Sequence, residues 1–327
     1  MKFLATLLLL LLLAAGAAYY VITTPFGPHS ETFVEIAPHT PTADMAAQLE
    51  KAGVIRNRYA FEAVHLTEKS TLKAGEYRFD HPVPMSEVYR RIVKGDIYTI
   101  GITIPEGYNI FDIAQAIQDA DLGQRDDFLA AERRHTELIA EWTDPEHPPV
   151  SLEGFLFPDT YHFARHTPAG TILAAMVRRF RQAAQQLNLH GAAAYRTVIM
   201  ASLIEKEVAV DAERPLVAGV FANRLAKNIP LATDPTVIYA ALLDNRWRGT
   251  IYASDLASAS PYNTYKHPGL PPGPIANPGM AAFHAALSPS QTDYLYFVSD
   301  AQGHSRFAAS LKEHNQNVQT YRHVQQH

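Results

Sequence analysis

The N-terminal segment Phe3–Ile22 is an uninterrupted run of apolar or small residues. Its 20 residues are enough for a helix to cross a hydrocarbon core of about 30 Å. Lys2 is the one cation near it, and no Lys or Arg recurs before Lys51. Positive charge is retained in the cytoplasm, so the pattern predicts a single-pass anchor with a cytoplasmic N-terminus and an exported body. A signal peptide cleaved after Ala15-Gly-Ala17 is the alternative.

The pattern of apolar positions changes after residue 23, the predicted end of the anchor at 1–23, and after a linker at 24–31. Alternation typical of strands occurs at 32–36 and 72–79, and helical spacing occurs at 44–52 and 85–93. These segments predict a compact β-α-α-β subdomain over 32–97. A connecting α/β segment is expected at 98–150, and the overall fold class is predicted to be α+β.

From 151 to 327, helical runs alternate with long loops rich in Pro, Gly, Asn and Tyr. The longest loop is Ser260–Gly279. Its aromatic and aliphatic side chains argue against disorder, and a segment of this length without regular structure is usually functional. We therefore expect an ordered loop that forms a wall of a cleft in a catalytic domain at 151–327.

One predicted helix, Thr197–Ala209, is apolar except where Glu205, Lys206 and Glu207 interrupt it. At 100° per residue the two glutamates point about 200° apart, so one cleft cannot hold both. Glu205 shares its face with small or apolar residues, where lost solvation would raise its pKa toward the value that a general acid needs. The alternative is a solvated or ion-paired glutamate near the end of a core helix.

The composition excludes several kinds of site. The chain has 327 residues, a net charge of −5 and no cysteine. Nucleic acid is therefore not expected as a partner, and disulfides, thiolate zinc sites and a cysteine nucleophile are excluded. Metalloprotease, nucleophile-elbow and nucleotide-binding motifs are missing. His162 and His166 follow a Phe-Pro-Asp turn and do not predict a metal site, so no cofactor is expected. His304 is predicted to lie in a hairpin turn.

Seven motifs occur in an order that resembles the MltG (YceG-like) family of membrane-anchored endolytic murein transglycosylases. The motifs are Leu152–Tyr161 (LEGFLFPDTY), Ala201–Glu207 (ASLIEKE), Val220–Leu225 (VFANRL), Leu231–Tyr239 (LATDPTVIY), Tyr262–Tyr265 (YNTY), Gly269–Gly279 (GLPPGPIANPG) and Tyr294–Val298 (YLYFV). The resemblance covers most of the chain. It implies that residues 32–97 form a LysM-like subdomain and that the Glu-Lys-Glu segment holds the catalytic glutamate. We assign that role to its first glutamate, Glu205.

The resemblance also implies the reaction. The family cleaves the β-1,4 bond between N-acetylmuramic acid and N-acetylglucosamine without water and leaves 1,6-anhydro-muramyl ends. Peptidoglycan strands are then the substrate, peptidoglycan synthases are candidate partners, and the bacterial inner membrane is the location, with the catalytic domain in the periplasm. The residues expected to line the cleft are Glu153, Asp159, Thr233, Asp234, Tyr262, Asn263 and Tyr296, and Asp234 is also expected to cap a helix.

Two other functions remain open at the level of sequence. A hydrolytic muramidase would need a second carboxylate beside Glu205, with Asp234 and Glu153 as candidates. A non-catalytic scaffold would bind glycan through the LysM-like subdomain alone, and Glu205 would then be dispensable.

Overall fold

A computed structural model describes residues 2–146, 148–299 and 304–324. The chain divides into two compact units, Met1–Ile100 with His162–His166, and Gly101–Tyr161 with Thr167–His327. The fold is mixed α+β, mostly helical with small two-stranded sheets, as the sequence predicted.

The first unit begins with an apolar helix and continues with a small α/β arrangement. Its elements are α1 (Lys2–Thr23), β1 (Thr32–Ile36), α2 (Thr42–Lys51), α3 (Arg58–Glu68), β2 (Gly75–Phe79) and α4 (Met85–Lys94). Within α1, residues Phe3–Thr23 are long and apolar enough to cross a membrane. This helix fits either an anchor or a signal sequence.

Strands β1 and β2 pair antiparallel, with Val34 opposite Tyr77. Alternate residues of both strands are buried, because successive side chains of a strand point to opposite faces. The helices cover the buried face through residues such as Leu49, Phe61 and Ile92. The observed order of this unit after α1 is β1, α2, α3, β2 and α4. The sequence located two strands and two helices here, and α3 was not among them.

The rest of the chain is mostly helical. Its elements are β3 (Ile100–Thr103), α5 (Ile110–Asp119), α6 (Arg125–Arg134), β4 (Thr160–Phe163), α7 (Ala169–Gln186), α8 (Gly191–Glu207), α9 (Arg214–Ala226), α10 (Asp234–Leu243), α11 (Ala253–Leu256), α12 (Met280–Leu287), β5 (Tyr296–Ser299), β6 (Ser305–Ala308) and α13 (Leu311–Val324). Short 3-10 helices span Thr136–Trp142 and Asp211–Glu213. Strands β3 and β4 form one two-stranded sheet.

The core of the second unit is aromatic around Phe180. The Phe180 ring lies 4.9 Å from Trp142, 4.8 Å from Phe155 and 5.9 Å from Phe283, measured between ring centroids. Edge-on and tilted contacts of this kind bury a large apolar area. Helix α8 packs against α9, α10 and α12. These contacts fix the position of the helix that carries the Glu-Lys-Glu segment.

Helix α8 has different bounds from the predicted 197–209. It starts earlier, at Gly191, and ends at Glu207 because Val208 is extended, with φ −113° and ψ 121°. The prediction that Asp234 is a helix N-cap was wrong. Thr233 holds the N-cap position, with φ −103° and ψ 130°, and Asp234 is the first residue of α10. An acidic side chain in this first turn still interacts favourably with the helix dipole.

The loop 260–279 has no regular helix or strand and is ordered by buried amides. Asn263 and Asn277 are both fully buried. Asn263 Nδ2 donates to the carbonyls of Leu256 at 3.1 Å and Ser258 at 2.8 Å. Farther along the chain, β5 and β6 pair antiparallel as the predicted hairpin strands. His304, which directly precedes β6, has its Nδ1 3.4 Å from Glu213 Oε1.

Candidate active site

The last turn of α8 carries Glu205 and Glu207 toward different surroundings. The turn before it is built from the buried residues Ala201, Ser202, Leu203 and Ile204. A rotation of about 200° separates two residues that are two positions apart on a helix. Glu205 therefore faces α9 and the end of loop 260–279, and Glu207 faces α10. The expected separation of the two carboxylates is found.

Glu205 is held by an ion pair and a main-chain hydrogen bond. Its Oε1 lies 3.0 Å from Arg214 Nη2, and the two side chains are only 6% and 7% exposed. Its Oε2 accepts a hydrogen bond from the Gly279 N–H at 3.0 Å. The surroundings of Glu205 thus differ from the apolar ones expected from the sequence, because a guanidinium lies against its carboxylate. Both carboxylate oxygens already have a partner.

A second carboxylate, Glu106, lies on the same side of the helix. Burial, and then the neighbouring Glu205 carboxylate, raise the pKa of Glu106. A Cβ atom at position 279 would overlap the Glu106 carboxylate, so glycine leaves the space that this group fills. Arg214 Nη1 is buried without a hydrogen-bond partner among the described residues. Glu106, Glu205 and Arg214 form a packed charged cluster.

Glu207 has the environment that was expected for Glu205. Burial and, after it, the charge of Asp234 raise its pKa to about 7, and Arg224 opposes the shift. The side chain is half-buried. No described residue donates a hydrogen bond to its carboxylate. A carboxyl group that is partly accessible, unpaired and poised near neutrality can both donate and accept a proton at working pH.

Two neighbours of Glu207 are themselves fixed by hydrogen bonds. The Tyr265 hydroxyl donates to Asp234 Oδ1 at 2.7 Å. Arg224 donates to the main-chain carbonyls of Leu295 at 2.6 Å and Leu231 at 2.8 Å. Its guanidinium lies 5.1 Å from the centre of the Tyr296 ring. Because its N–H groups are used on carbonyls and its face covers a ring, Arg224 only partly offsets the charge of Glu207.

Glu153, a predicted cleft residue, is buried and accepts hydrogen bonds from within the protein. It is 2% exposed. Its Oε2 accepts from the Ile110 N–H at 2.9 Å, and its Oε1 accepts from Asn277 Nδ2 at 2.8 Å. Burial raises its pKa to about 8. Glu153 therefore joins the start of α5 to the loop 260–279.

The other predicted cleft residues divide into two groups. Asp159 pairs with Arg179 at 2.5 Å, and the hydrogen bond from Arg179 lowers the Asp159 pKa, which does not suit an acid. Asn263 shapes its own loop. Asp234, by contrast, acts on Glu207 through its charge. Thr233 precedes it in the chain, and its buried hydroxyl has no partner among the described residues. The Tyr296 ring contacts Arg224, which lies near Glu207.

Three residues near this site were not selected from the sequence: Glu207, Arg224 and Tyr265. Each belongs to one of the seven motifs, so the motifs contained the signal. Tyr262 lies elsewhere, with its ring 5.2 Å from that of Tyr239. Within the described residues no group of three or more His, Cys, Asp or Glu side chains could hold a metal ion.

Comparisons with known proteins agree with the resemblance. A model of the YceG-like family matches residues 34–320. An endolytic murein transglycosylase of Bacillus subtilis strain 168 is 35% identical over 308 residues, covering 88% of this chain and 84% of that protein. An endolytic murein transglycosylase of Streptococcus pneumoniae strain D39 is 30% identical over 305 residues. That match covers 84% of this chain and 55% of the pneumococcal protein.

The fold also matches a solved structure. A crystal structure of a YceG-like protein from Listeria monocytogenes aligns with a TM-score of 0.59 and 31% sequence identity. The alignment covers 88% of this chain and 99% of that chain.

Proposed function

We propose, from the premise that this chain belongs to the YceG-like family, that it is an endolytic peptidoglycan lytic transglycosylase. It cleaves the β-1,4 bond between N-acetylmuramic acid and N-acetylglucosamine inside glycan strands and leaves 1,6-anhydro-muramyl ends. Its role in the cell is to terminate or trim nascent strands. The observation that carries the proposal is Glu207, a half-buried carboxyl group without a hydrogen-bond donor among the described residues, whose pKa is raised to about 7 by burial and by Asp234.

The reaction needs one group that first gives and then takes a proton. Protonated Glu207 donates to the glycosidic oxygen while the bond from C1 of the muramyl residue breaks and positive charge develops at C1. The resulting carboxylate accepts the proton of the C6 hydroxyl, and O6 of the same sugar bonds to C1. No water is consumed, and Glu207 ends protonated, as it began. A pKa near 7 suits both steps at neutral pH.

The internal nucleophile removes the need for a second catalytic carboxylate. A retaining or inverting hydrolase uses two, separated by roughly 5 Å or by 6.5–9.5 Å. Here the C6 hydroxyl is tethered to the reacting sugar, which gives the entropic advantage of an intramolecular step. Asp234 then acts on Glu207 through its charge. Glu205, our first assignment, is the alternative acid, although its two oxygens already have partners.

The runner-up function is a muramidase in which Asp234 acts as the second carboxylate beside Glu207, since its charge acts on that group. Product analysis separates the two. We expect digestion of purified sacculi to release fragments ending in 1,6-anhydro-muramic acid, one water lighter than muramidase fragments and resistant to borohydride. EDTA should not change the rate. Reducing ends that carry ¹⁸O from labelled water would contradict the transglycosylase and establish the hydrolase.

We also propose that α1 anchors the protein in the bacterial inner membrane, with a LysM-like β-α-α-β arrangement and the catalytic unit in the periplasm. The length and apolar character of α1 support the anchor. Membrane fractionation of cells expressing the full chain is expected to recover an intact N-terminus in the membrane pellet. A soluble periplasmic form with a new N-terminus near Ala18 would instead identify a cleaved signal peptide.

A further inference from the structure

The second unit has a cavity of about 700 Å³ that does not include Glu205 or Glu207 among its lining residues. One wall is the start of α8, with Tyr195 and Arg196. The facing wall is loop 260–279, with Tyr262, Pro271 and Pro274. The volume is within the range of small-molecule sites, which combine apolar walls with a few placed polar groups.

Two tyrosine hydroxyls converge inside this cavity. A Cβ atom on Gly273 would lie 2.8 Å from the Tyr262 hydroxyl and 3.2 Å from the Tyr195 hydroxyl. Both side chains are half-buried, and neither hydroxyl has a hydrogen-bond partner among residues that the structure describes. The rings are held by aromatic contacts, Tyr195 on Phe155 and Tyr262 on Tyr239. The cavity thus presents two fixed and unused hydrogen-bond donors.

Arg196 adds a positive charge at the rim. Its side chain is exposed and makes no ion pair within the described parts of the chain. A guanidinium presents a planar set of N–H donors that fits a carboxylate. The carboxyl groups of Asp144 and Glu153 also line the cavity, and both already accept hydrogen bonds within the protein. A cation without an ion pair among the described residues, beside two hydroxyl donors, therefore predicts a ligand that carries an anionic group and further acceptors.

The cavity and the candidate acid lie along one face of α8. Arg196 and Glu207 are 11 residues apart, which is about 16 Å along the helix and about 20° around it. The loop 260–279 also connects the two places. Tyr262 of this loop lines the cavity, and Tyr265 donates a hydrogen bond to Asp234, whose charge acts on Glu207. An extended ligand that reacts at Glu207 can therefore reach the cavity.

We propose that this cavity binds the peptide stem attached to N-acetylmuramic acid. Arg196 pairs with a carboxylate of the stem, and the hydroxyls of Tyr195 and Tyr262 donate to its amide carbonyls. The uncharged sugar backbone offers no partner for Arg196, whereas the stem carries free carboxylates. This inference rests on the proposed transglycosylase function and specifies which part of the substrate the enzyme recognises away from the scissile bond.

The first experiment compares two substrates, glycan strands with their peptide stems and the same strands stripped of stems by an amidase. For Arg196→Glu we expect the ratio of kcat/KM on stem-bearing strands to kcat/KM on stripped strands to fall about ten-fold. Loss of a charge-assisted hydrogen bond and the new like-charge repulsion account for this size. Arg196→Lys should lose less. Arg178→Glu is the matched control, an exposed α7 arginine outside the cavity, and should leave the ratio unchanged.

The second experiment does not depend on turnover. Calorimetric titration of the full chain in detergent with N-acetylmuramoyl-L-alanyl-D-isoglutamine is expected to show binding that Arg196→Glu and Tyr195→Phe both weaken. Titration with a peptide-free disaccharide should be unaffected by Arg196→Glu. The stem assignment would be overturned if Arg196→Glu lowered kcat/KM equally on both substrates, or if it left the affinity for the muramoyl dipeptide unchanged. If the protein binds the dipeptide but cleaves neither stem-bearing nor stripped strands, the result would support the cavity as a stem-binding site and refute the proposed function.

Discussion

Glu205 and Glu207 are two residues apart on one helix, yet they have opposite electrostatic surroundings. Glu205 has a guanidinium at 3.0 Å and a main-chain N–H at 3.0 Å. Glu207 has no hydrogen-bond donor among the described residues, and burial with Asp234 raises its pKa to about 7. The same residue type is therefore ion-paired at one position and without a hydrogen-bond donor among the described residues at the other.

Both nearby cations come from helix α9, and the difference lies in what else each one binds. Arg214, its first residue, donates from Nε to the exposed Asp211 and directs Nη2 at Glu205. Arg224, in its last turn, donates to main-chain carbonyls and lies over Tyr296. A cation whose donors are already used neutralises a neighbouring carboxylate only in part. The surroundings of the two glutamates are therefore distinguished by whether the nearest arginine directs an N–H group at the carboxylate, and not by the apolar character of the helix face.

The strongest test of this comparison is Glu207→Gln. We expect a loss of activity of at least about 10²–10⁴-fold, because the amide keeps the shape of the side chain but cannot transfer a proton. The measurement is the initial rate of anhydro-end formation from sacculi, with circular dichroism as the control for folding. Cleavage at the native rate would remove Glu207 from the mechanism.

The Glu207→Gln variant should also change how the free energy of unfolding depends on pH. Native Glu207 has a folded-state pKa of about 7 against an ordinary value of 4.5, so its stabilising contribution is complete below pH 4.5 and is lost as the pH rises through about 7. The glutamine variant lacks this loss. Its unfolding free energy should therefore fall less than that of the native protein between pH 4.5 and 7.

Glu205→Gln should affect stability more than chemistry. Removing the charge leaves the buried Arg214 with the exposed Asp211 as its remaining carboxylate partner, and breaking a buried ion pair from one side costs up to about 3 kcal/mol of unfolding free energy. Denaturant titration measures that loss, and the rate of the folded fraction should fall less than for Glu207→Gln. A stable but inactive Glu205→Gln, beside an active Glu207→Gln, would restore Glu205 as the acid.

The sequence predicted the elements that depend on local pattern. Alternation located β1 and β2, the expected cap Asp234 marked the start of α10 to within one residue, and helix geometry separated the two glutamates. The contacts that surround each glutamate could not be predicted in this way. Glu205 receives its hydrogen bond from Gly279, 74 residues away, and Asp234 binds Tyr265, 31 residues away. Such contacts depend on how the helices pack.

The predicted cleft residues likewise show that a sequence motif does not define the role of each of its residues. Asp234 and Tyr296 were expected from the sequence and lie in the surroundings of Glu207. Glu153 and Asn263 come from equally specific motifs, but their side chains are used in hydrogen bonds that hold the fold together. A motif indicates that a residue matters. It does not distinguish a residue that contacts substrate from one that positions the loop beside it.

The smallest expected effect comes from Asp234→Asn, which tests the source of the Glu207 pKa. As a general acid Glu207 must be protonated, so kcat/KM of the native enzyme should fall as the pH rises through about 7. Asp234 raises that pKa through its negative charge, so removing the charge should move the falling limb to lower pH. Asparagine can still accept the Tyr265 hydrogen bond, so the geometry is kept. The measurement is the initial rate across pH 5–9 for both proteins, with Tyr265→Phe as the control that removes the hydrogen bond and keeps the charge. A limb that moves with Tyr265→Phe and not with Asp234→Asn would show that the position of Asp234, and not its charge, sets the protonation of Glu207.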